Sequence, residues 1–333
     1  MQPMTETTER DELAEALRAG DEAVFAKLSS RHRAELNAHC YRLLGSLADA
    51  EDLVQETWIK AWRGRGSFEG RASVRTWLYK IATNACLDFL ESRKERRSGD
   101  NVTSAEPSLG SQPHVPWLQP FPDRLLEPDA RLVSREALEL GYLVALQCLP
   151  PKQRAVLICC DVLEWSAKEA AELLSLSVPS VNSALQRARE TLQDEQQTGK
   201  RVRHEATPEQ EQRLLRAYVK ATEEVDVPAL SALLREDVRC TMPPMEFRFT
   251  NRDEAVAAWV EGGYGSEAYR DFRCIVTRTN GLPAVACYRR VPGATAYTPM
   301  ALDVLKVQGD KVVEITTFEL APFVSALDLP ATL

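Results

Sequence analysis

The chain has 333 residues, which at roughly 150 residues per domain corresponds to two or three domains. Hydrophobic residues make up 44% of the chain and charged residues 27%, proportions that are typical of a globular protein. No apolar run approaches the roughly 18 residues of a membrane span, and the polar, acidic N-terminus lacks the pattern of a signal peptide. The eight cysteines are scattered without a C-x-x-C pair. We therefore expect a cytoplasmic protein with buried thiols, no metal site and no cofactor.

The first block of the chain, residues 11–97, has helical periodicity and contains no proline. Although the whole chain has a formal net charge of −8, residues 22–97 contain 14 basic and 10 acidic side chains. The run Arg93–Arg97 concentrates this positive charge at the end of the block. A basic segment inside an acidic protein is a weak indication of nucleic-acid binding, and a solvated helix end has the same composition.

Residues 98–128 interrupt the helical pattern with six prolines and few periodic apolar positions. This composition predicts an extended, irregular and acidic linker. Helical periodicity resumes at Asp129 and continues past Leu192. The sequence therefore predicts a second helical domain, which we assign to residues 129–200.

Two short helices separated by a tight turn are predicted inside this second domain. Ser166 and Glu169 have the spacing of a capping box at the start of the first helix, and Ser177 is placed to cap the second. The second helix has an apolar stripe and a polar opposite face with amides and an arginine, which suit base edges and phosphates in a major groove. A plain helical hairpin with a solvated outer face explains the pattern equally well. The candidate DNA contacts are Ser180, Asn182, Ser183, Gln186 and Arg187.

The last block, residues 205–333, changes from helical to strand-like patterns. Helical patterns cover Glu209–Glu224, Val227–Arg235 and Arg252–Val260, and strand-like segments follow at 269–279, 283–291, 297–307 and 311–319. Asn280-Gly281 and Gly309-Asp310 lie between these segments as hairpin turns. The sequence thus predicts two all-α domains followed by an α+β domain.

The first block closely resembles domain two of sigma-70 family factors, in their extracytoplasmic-function (ECF) type. The motifs that carry the resemblance are 47–62 (LADAEDLVQETWIKAW), 67–71 (SFEGR), 76–85 (TWLYKIATNA) and 88–90 (DFL). The second helical block, from 149–157 (LPPKQRAVL) to 187–189 (RAR), resembles domain four of the same family. The order of the motifs and the linker between them agree, which implies domain two at 11–97 and domain four at 129–200.

The resemblance implies that domain two docks on the β′ clamp helices of RNA polymerase. Val54, Trp58 and Ala61 have the spacing to pack inward, which leaves the opposite face of their helix for polymerase. Acidic residues at the start of that helix also serve as favourable charges at its N-terminus. The implied polymerase-binding residues are Asp49, Asp52, Gln55, Glu56 and Ile59.

By the same resemblance, the segment 67–73 captures a flipped base of the −10 promoter element, and the following helix contacts the adjoining DNA. The implied residues are Phe68, Arg71, Ser73, Arg75, Lys80 and Asn84. We expect Asn84 to touch a base, and Arg71 and Arg75 to hold phosphates. Phe68 has two interpretations, a stacking surface for the base or ordinary buried packing.

Domain four of the family reads the −35 element with its second helix and contacts the polymerase β flap. This assigns the exposed face described above, including Asn182, Ser183, Gln186 and Arg187, to −35 DNA. Asn182 stands where many relatives have Lys or Arg, and Ser175 occupies a turn position that is often Gly. The resemblance also implies that the linker threads the RNA-exit path of polymerase, although a disordered tether has the same composition.

Residues 205–333 resemble a SnoaL-like fold, a cone of helices and a curved antiparallel sheet around a pocket. The resemblance rests on 242–245 (MPPM), 251–256 (NRDEAV) and the terminal strands 300–307 and 312–319. Relatives of this fold use a pocket Asp or His for proton transfer, yet no histidine lies within the cone. The aspartates Asp226, Asp237, Asp253 and Asp303 all have positions suited to helix caps or exposed strand faces. A binding or docking module is therefore favoured over an enzyme, and no catalytic residue is predicted.

The leading hypothesis is a sigma factor that binds core RNA polymerase and promoter DNA and is regulated by its C-terminal domain. One alternative is a cyclase- or isomerase-like enzyme domain fused to a DNA-binding module, and another is a helix-turn-helix repressor that works without polymerase. Residues 204–333 carry a charge of −5 and residues 22–97 a charge of +4. These charges predict a salt-sensitive contact of the C-terminal domain with domain two or the linker. The sequence does not identify an anti-sigma partner.

Overall fold

The computed structural model describes residues 12–68, 70, 72–99, 115–125, 139–199 and 204–333. The chain divides into two compact units. The first comprises Met1–Ala105, Leu125–Ala137 and Ala145–Asp194, and the second comprises Glu106–Arg124, Leu138–Val144 and Glu195–Leu333. The domain boundaries drawn from the sequence stay a prediction. Among the described residues, no helix is both long enough and apolar enough to cross a membrane.

Apart from residues 115–125, the described chain up to residue 199 is built from helices, as the sequence predicts. The helices are α1 (12–19), α2 (Glu22–Leu44), α3 (Leu47–Gly64), α4 (Val74–Gly99), α5 (Leu140–Cys148), α6 (Pro151–Leu157), α7 (Ala167–Leu174) and α8 (Val178–Gly199). A 3-10 turn, Arg65–Ser67, follows α3, and a π turn, Ile158–Val162, continues α6.

Local capping explains where these helices begin and end. The Asp21 side chain accepts hydrogen bonds from the first amides of α2, and α2 ends at Gly45, whose φ of 73° is the left-handed conformation that glycine tolerates. Ser46 then caps α3 by accepting a hydrogen bond from the Asp49 amide. The predicted capping box of Ser166 and Glu169 is present at the start of α7, so that prediction is confirmed.

The second unit is an α+β structure with a six-stranded mixed sheet. Its helices are α9 (Pro208–Glu223), α10 (Val227–Leu233) and α11 (Arg252–Glu261). Its strands are β1 (Leu234–Met242), β2 (Met245–Phe249), β3 (Phe272–Thr279), β4 (Leu282–Arg289), β5 (Thr298–Gln308) and β6 (Lys311–Glu319), in the order β2-β1-β6-β5-β4-β3. The α+β prediction for the last block is confirmed.

Two details of that prediction are wrong. The sheet is not wholly antiparallel, because β1 pairs in parallel with β6. The helix predicted at Val227–Arg235 ends at Leu233, and the chain continues directly into β1, which the sequence pattern did not reveal. The burial pattern of β1 is irregular because a register shift interrupts its pairing with β6, so its residues do not alternate as a simple strand would.

The turn at Asn280-Gly281 is a predicted hairpin that the structure confirms. Both residues have positive φ, 57° and 73°, as the tight type I′ turn requires. This turn sets the register between β3 and β4, in which Thr279 pairs with Leu282 and Cys274 with Cys287. The Asn-Gly pair therefore fixes which side chains face each other across the two strands.

Part of the predicted linker is an ordered piece of the second unit. Residues 115–124, called the docked segment below, contain three buried apolar side chains at a spacing of three, Val115, Leu118 and Phe121. The Phe121 amide donates to Asn280 Oδ1 at 2.9 Å, and the Asn280 amide donates to the Phe121 carbonyl at 2.8 Å. This part of the predicted linker therefore contacts the C-terminal domain through apolar packing and hydrogen bonds, and the salt-sensitive contact predicted from the charges stays a prediction. Both backbone polar groups of Phe121 are satisfied by the hairpin turn.

Candidate nucleic-acid interface

The face of α3 predicted to bind polymerase is exposed. Val54, Trp58 and Ala61 are buried as predicted, and the opposite face carries Asp52, Gln55, Glu56 and the 51% exposed Ile59. Asp49 lies in the first turn, 3.6 Å from Arg93. An exposed isoleucine among carboxylates offers both apolar area and negative charge to a partner.

The segment before α4 is folded around buried aromatic packing. Phe68 is only 4% exposed, and its ring lies 5.0 Å from the ring of Trp77. This position agrees with the packing interpretation of Phe68. Ser73 caps α4, since its hydroxyl accepts a hydrogen bond from the Thr76 amide at 3.0 Å. Arg71 lies outside the described residues.

Arg75 belongs to an ion-pair network on the surface of α2 and α4. Its Nε donates to Glu35 Oε2 at 2.7 Å, and the Tyr79 hydroxyl donates to the same oxygen at 3.1 Å. Burial raises the pKa of Glu35, but hydrogen bonds from His32 and Arg75 outweigh that effect, so the pKa of this carboxyl is lowered. Arg75 therefore has a structural partner in this conformation, and its predicted phosphate contact stays a prediction.

The two other predicted −10 residues on α4 differ in their surroundings. Lys80 Nζ lies 3.4 Å from the Glu172 carbonyl oxygen at α7, within hydrogen-bonding distance, and Asn84 is exposed. The ring of Tyr79, the residue before Lys80, lies 5.4 Å from the ring of Trp165. The helix predicted to read the −10 element thus packs against the first helix of the helix-turn-helix.

His39 lies behind α4 and is fully buried. Its Nε2 is 2.8 Å from Thr83 Oγ1, and its ring is 4.7 Å from the ring of Tyr79. Burial lowers the pKa of His39 to about 3, and the positive charge of Arg42 adds to this effect. The imidazole is therefore neutral in the folded protein at neutral pH.

Lowering the pH from 7 to 5 is expected to reduce the free energy of unfolding by about 2 kcal/mol through His39 alone. The unfolded chain protonates this histidine below about pH 6.5, whereas the folded chain does so only near pH 3. The contribution is complete above pH 6.5 and is lost as the pH falls. Urea unfolding of the full chain at both pH values measures it. The variant His39→Gln keeps a polar partner for Thr83 and should lack this part of the pH dependence; an equal pH dependence in both proteins would contradict the assignment.

The second helix of the helix-turn-helix, α8, presents the predicted DNA-reading face. Of the apolar stripe predicted at Val181, Leu185, Ala188 and Leu192, three members are buried, while Leu185 is half-buried and Ala184 beside it is buried. Ser177 accepts a hydrogen bond from the Ser180 amide at 3.3 Å, and Ser175 makes the turn with a φ of 54°. All five residues predicted to contact −35 DNA are exposed on the face opposite the stripe: Ser180, Asn182, Ser183, Gln186 and Arg187.

Arg154 is a buried cation that the sequence reasoning did not single out. Its guanidinium donates to the Leu43 carbonyl, to Gln147 Oε1 at 2.5 Å, and to the carbonyls of Gln147 and Leu149 at 2.8 and 3.0 Å. Gln147 Nε2 in turn donates to the Arg42 carbonyl at 3.1 Å. Burial lowers the pKa of Arg154 to about 10, which leaves it charged. These bonds cap the carbonyl end of α2, where the helix dipole favours a cation.

The interior of the second unit contains one of the four aspartates considered above, Asp303. It does not lie on an exposed strand face, as the sequence suggested, but is held inside by the Thr317 hydroxyl at 2.7 Å and the Tyr218 hydroxyl at 3.1 Å. Burial raises the pKa of Asp303, although these hydrogen bonds oppose the effect. Asp226 does cap α10 as the sequence suggested. In the part of the chain that the structure describes, no cluster of His, Cys, Asp or Glu could hold a metal ion.

Comparisons with known proteins place both helical blocks in one family. The Sigma-70 region 2 model matches residues 28–96, and the Sigma-70 region 4 model matches residues 140–192. The ECF RNA polymerase sigma factor SigG of Mycobacterium tuberculosis is 38% identical over 309 residues, which cover 90% of this chain and 82% of SigG. The ECF RNA polymerase sigma factor SigW of Bacillus subtilis is 33% identical over 178 residues, 53% of this chain and 90% of SigW.

A similar fold extends over the C-terminal part as well. The crystal structure of the ECF sigma factor SigJ of Mycobacterium tuberculosis aligns with 92% of this chain and 99% of its own, at a TM-score of 0.57 and 21% identity. The SigG match shares sequence over both helical blocks and much of the α+β block. The chain therefore belongs to the extracytoplasmic-function RNA polymerase sigma factors, the proteins that direct transcription initiation.

Proposed function

We propose that this chain binds core RNA polymerase through the exposed face of α3 and directs it to promoters with α4 at the −10 element and α8 at the −35 element. The observation that carries the proposal is the polar face of α8, on which five candidate residues stand exposed above a buried apolar stripe. Such a helix fits a major groove, where amides and arginine recognise base edges. Its working compartment is the cytoplasm, where the polymerase is.

In the free chain the two DNA-reading parts are packed together, an arrangement we call the closed packing. It consists of the Lys80–Glu172 contact, the Tyr79–Trp165 ring contact and the buried Arg154 network. The −10 and −35 elements are about 25 base pairs apart, or about 85 Å at 3.4 Å per base pair. Because α4 with 26 residues is about 39 Å long and α8 with 22 residues is about 33 Å long, and Lys80 of α4 contacts Glu172 in the helix just before α8, the two helices do not span that distance in this arrangement. Opening of the closed packing therefore accompanies promoter binding.

The C-terminal unit modulates this activity by holding the docked segment. Phe121 is fully buried against the Asn280-Gly281 turn, and Asp123 Oδ1 accepts a hydrogen bond from the Gly281 amide at 2.8 Å. A linker held in this way has less freedom to separate the segments that it joins. The enzyme alternative is weaker, since the chain belongs to the sigma factors, which are generally not enzymes.

Run-off transcription with the full chain and bacterial core polymerase tests the proposal. We expect holoenzyme with the double variant Asn182→Ala/Gln186→Ala to bind a −35-containing promoter more weakly by about 30-fold or more, since two amide–base pairs are lost and each contributes about 1–3 kcal/mol. Core binding should be unchanged. Arg213→Ala, an exposed position on α9, is the control and should behave as wild type. Failure of the wild-type chain to bind core polymerase would overturn the proposal, as would equal promoter binding by the double variant.

A further inference from the structure

Two cysteines face each other inside the second unit. Cys274 on β3 and Cys287 on β4 are direct cross-strand partners, and their sulfur atoms are 3.5 Å apart. Both sulfurs lie within the interior that also contains Asp303. At this distance no other group fits between the two sulfur atoms, so the two thiols are in direct contact.

The backbone geometry at this pair suits a covalent bond. Asp271 and Arg290 are hydrogen-bonded to each other across the two strands. Along an antiparallel ladder, hydrogen-bonded and non-hydrogen-bonded residue pairs alternate, and Cys274–Cys287 is the third pair after Asp271–Arg290. Cys274 and Cys287 therefore form a non-hydrogen-bonded pair, and the Cys274 amide donates outward to Glu223 at 2.9 Å. Cα atoms in such pairs are about 4.5 Å apart, which falls in the range of disulfides, about 4.4–6.8 Å. Bond formation requires only a small movement of the side chains.

The two thiols differ in exposure, and the more buried one lies close to a carboxylate that can accept its proton. Cys274 is half-buried, whereas Cys287 is 2% exposed and lies with its sulfur 3.9 Å from Asp303 Oδ2. A hydrogen bond from Cys274, burial and the nearby Asp303 carboxylate together raise the pKa of the Cys287 thiol well above its usual range. A thiol that keeps its proton needs a base when it reacts, and Asp303 is placed to be that base.

We propose that Cys274 and Cys287 form a reversible dithiol–disulfide site that hydrogen peroxide oxidises. The Cys274 sulfur attacks one oxygen of the peroxide, the O–O bond breaks, and the products are a sulfenic acid and one water. The Cys287 sulfur then attacks the Cys274 sulfur, and the S–O bond of the sulfenic acid breaks. Asp303 accepts the Cys287 proton and passes it to the leaving hydroxide, which departs as a second water. The two thiols lose two electrons, and peroxide is reduced to two waters.

The small size of peroxide matches a site whose outer thiol is only half-buried. The other described cysteines lack this combination of features. Cys40 and Cys86 are both fully buried, Cys148 is the last residue of the helix α5, and Cys159 and Cys160 are adjacent in the chain. Cys240 shares the same interior but has no cross-strand cysteine partner, since it pairs with Phe249 and Ile315. The proposal does not depend on promoter recognition, because it concerns only side chains of the second unit.

Mass spectrometry of the full chain tests the proposal directly. Trypsin cuts between the two cysteines, and it releases 274–278 (CIVTR) and 279–289 (TNGLPAVACYR) as separate peptides. After peroxide treatment, alkylation and digestion, we expect these two peptides joined, with a mass two hydrogens below their sum. Dithiothreitol before alkylation should separate them. Separate, alkylated peptides after peroxide would overturn the proposal.

Three variants assign the roles of the residues. Cys287→Ser should leave a sulfenic acid at Cys274 that reacts with dimedone, and Asp303→Asn should slow the joining of the peptides about 100-fold, the lower end of general-base effects. Cys240→Ser is the matched control and should join the peptides at the wild-type rate. Equal rates in wild type and Asp303→Asn would overturn the role of Asp303. Dimedone labelling of Cys240 in place of Cys274 would overturn the assignment of the site.

Discussion

Replacing Arg154 by alanine is expected to lower the free energy of unfolding by about 3–5 kcal/mol, because several buried carbonyls lose their donors at once. The guanidinium binds the Leu43, Gln147 and Leu149 carbonyls. Each unsatisfied buried acceptor costs about 1–3 kcal/mol. Urea unfolding of the full chain measures the loss, and amide hydrogen exchange at the end of α2 should increase in the same variant.

Two further variants separate this network from general effects of charge. Lys152→Ala removes an exposed cation from the same helix, α6, and should change stability by less than about 0.5 kcal/mol. Arg154→Lys keeps the positive charge, but an ammonium group cannot donate to all the carbonyls that the planar guanidinium reaches. Most of the decrease in the free energy of unfolding seen in Arg154→Ala should therefore remain. Wild-type stability of Arg154→Ala would show that the carbonyl end of α2 does not depend on this residue. It would also remove the Arg154 network from the closed packing.

The parts of the fold that depend on local chemistry could be predicted from the sequence. The Ser166–Glu169 capping box, the α8 stripe and the Asn280-Gly281 turn each rest on residues a few positions apart. The exposed face of α8 could be predicted for the same reason, since the stripe fixes the opposite side. The same hairpin turn also determines which two cysteines pair across β3 and β4. Counting outward from Asn280-Gly281 pairs Cys274 with Cys287 and would have brought these cysteines together.

The features that were missed depend on partners far away in the chain. β1 is stabilised by its pairing with β6, about 75 positions later, so the local pattern around Leu234 favoured a helix. Asp303 faces inward, where the hydroxyl of Tyr218 on α9, 85 positions earlier in the chain, donates to it. One acceptor of Arg154, the Leu43 carbonyl at the end of α2, lies more than 100 positions earlier in the chain. The docked segment could not be predicted from composition, because a free linker and a docked one are both rich in prolines and polar residues.

Replacing Phe121 by alanine is expected to release the docked segment and to increase tryptic cleavage after Arg124 by about 100-fold or more. Phe121 is fully buried, and removal of a buried phenylalanine costs about 3–5 kcal/mol. Arg124 is bound in the folded unit through Nε, which donates to the Ala326 carbonyl at 2.7 Å. Cleavage of a segment that opens and closes rapidly follows the population of the open form. The initial rate of cleavage in the full chain therefore measures docking.

The variant Asn280→Gly isolates the polar part of this docking. Glycine keeps the positive φ of the turn but removes the acceptor of the Phe121 amide, so cleavage should increase by about tenfold. Phe247→Ala is the control, because Phe247 is 53% exposed in the same unit and its loss should leave cleavage unchanged. If Phe121→Ala were cleaved after Arg124 at the wild-type rate, the C-terminal unit would not hold the linker in solution. Its proposed control of the sigma factor would then require another contact.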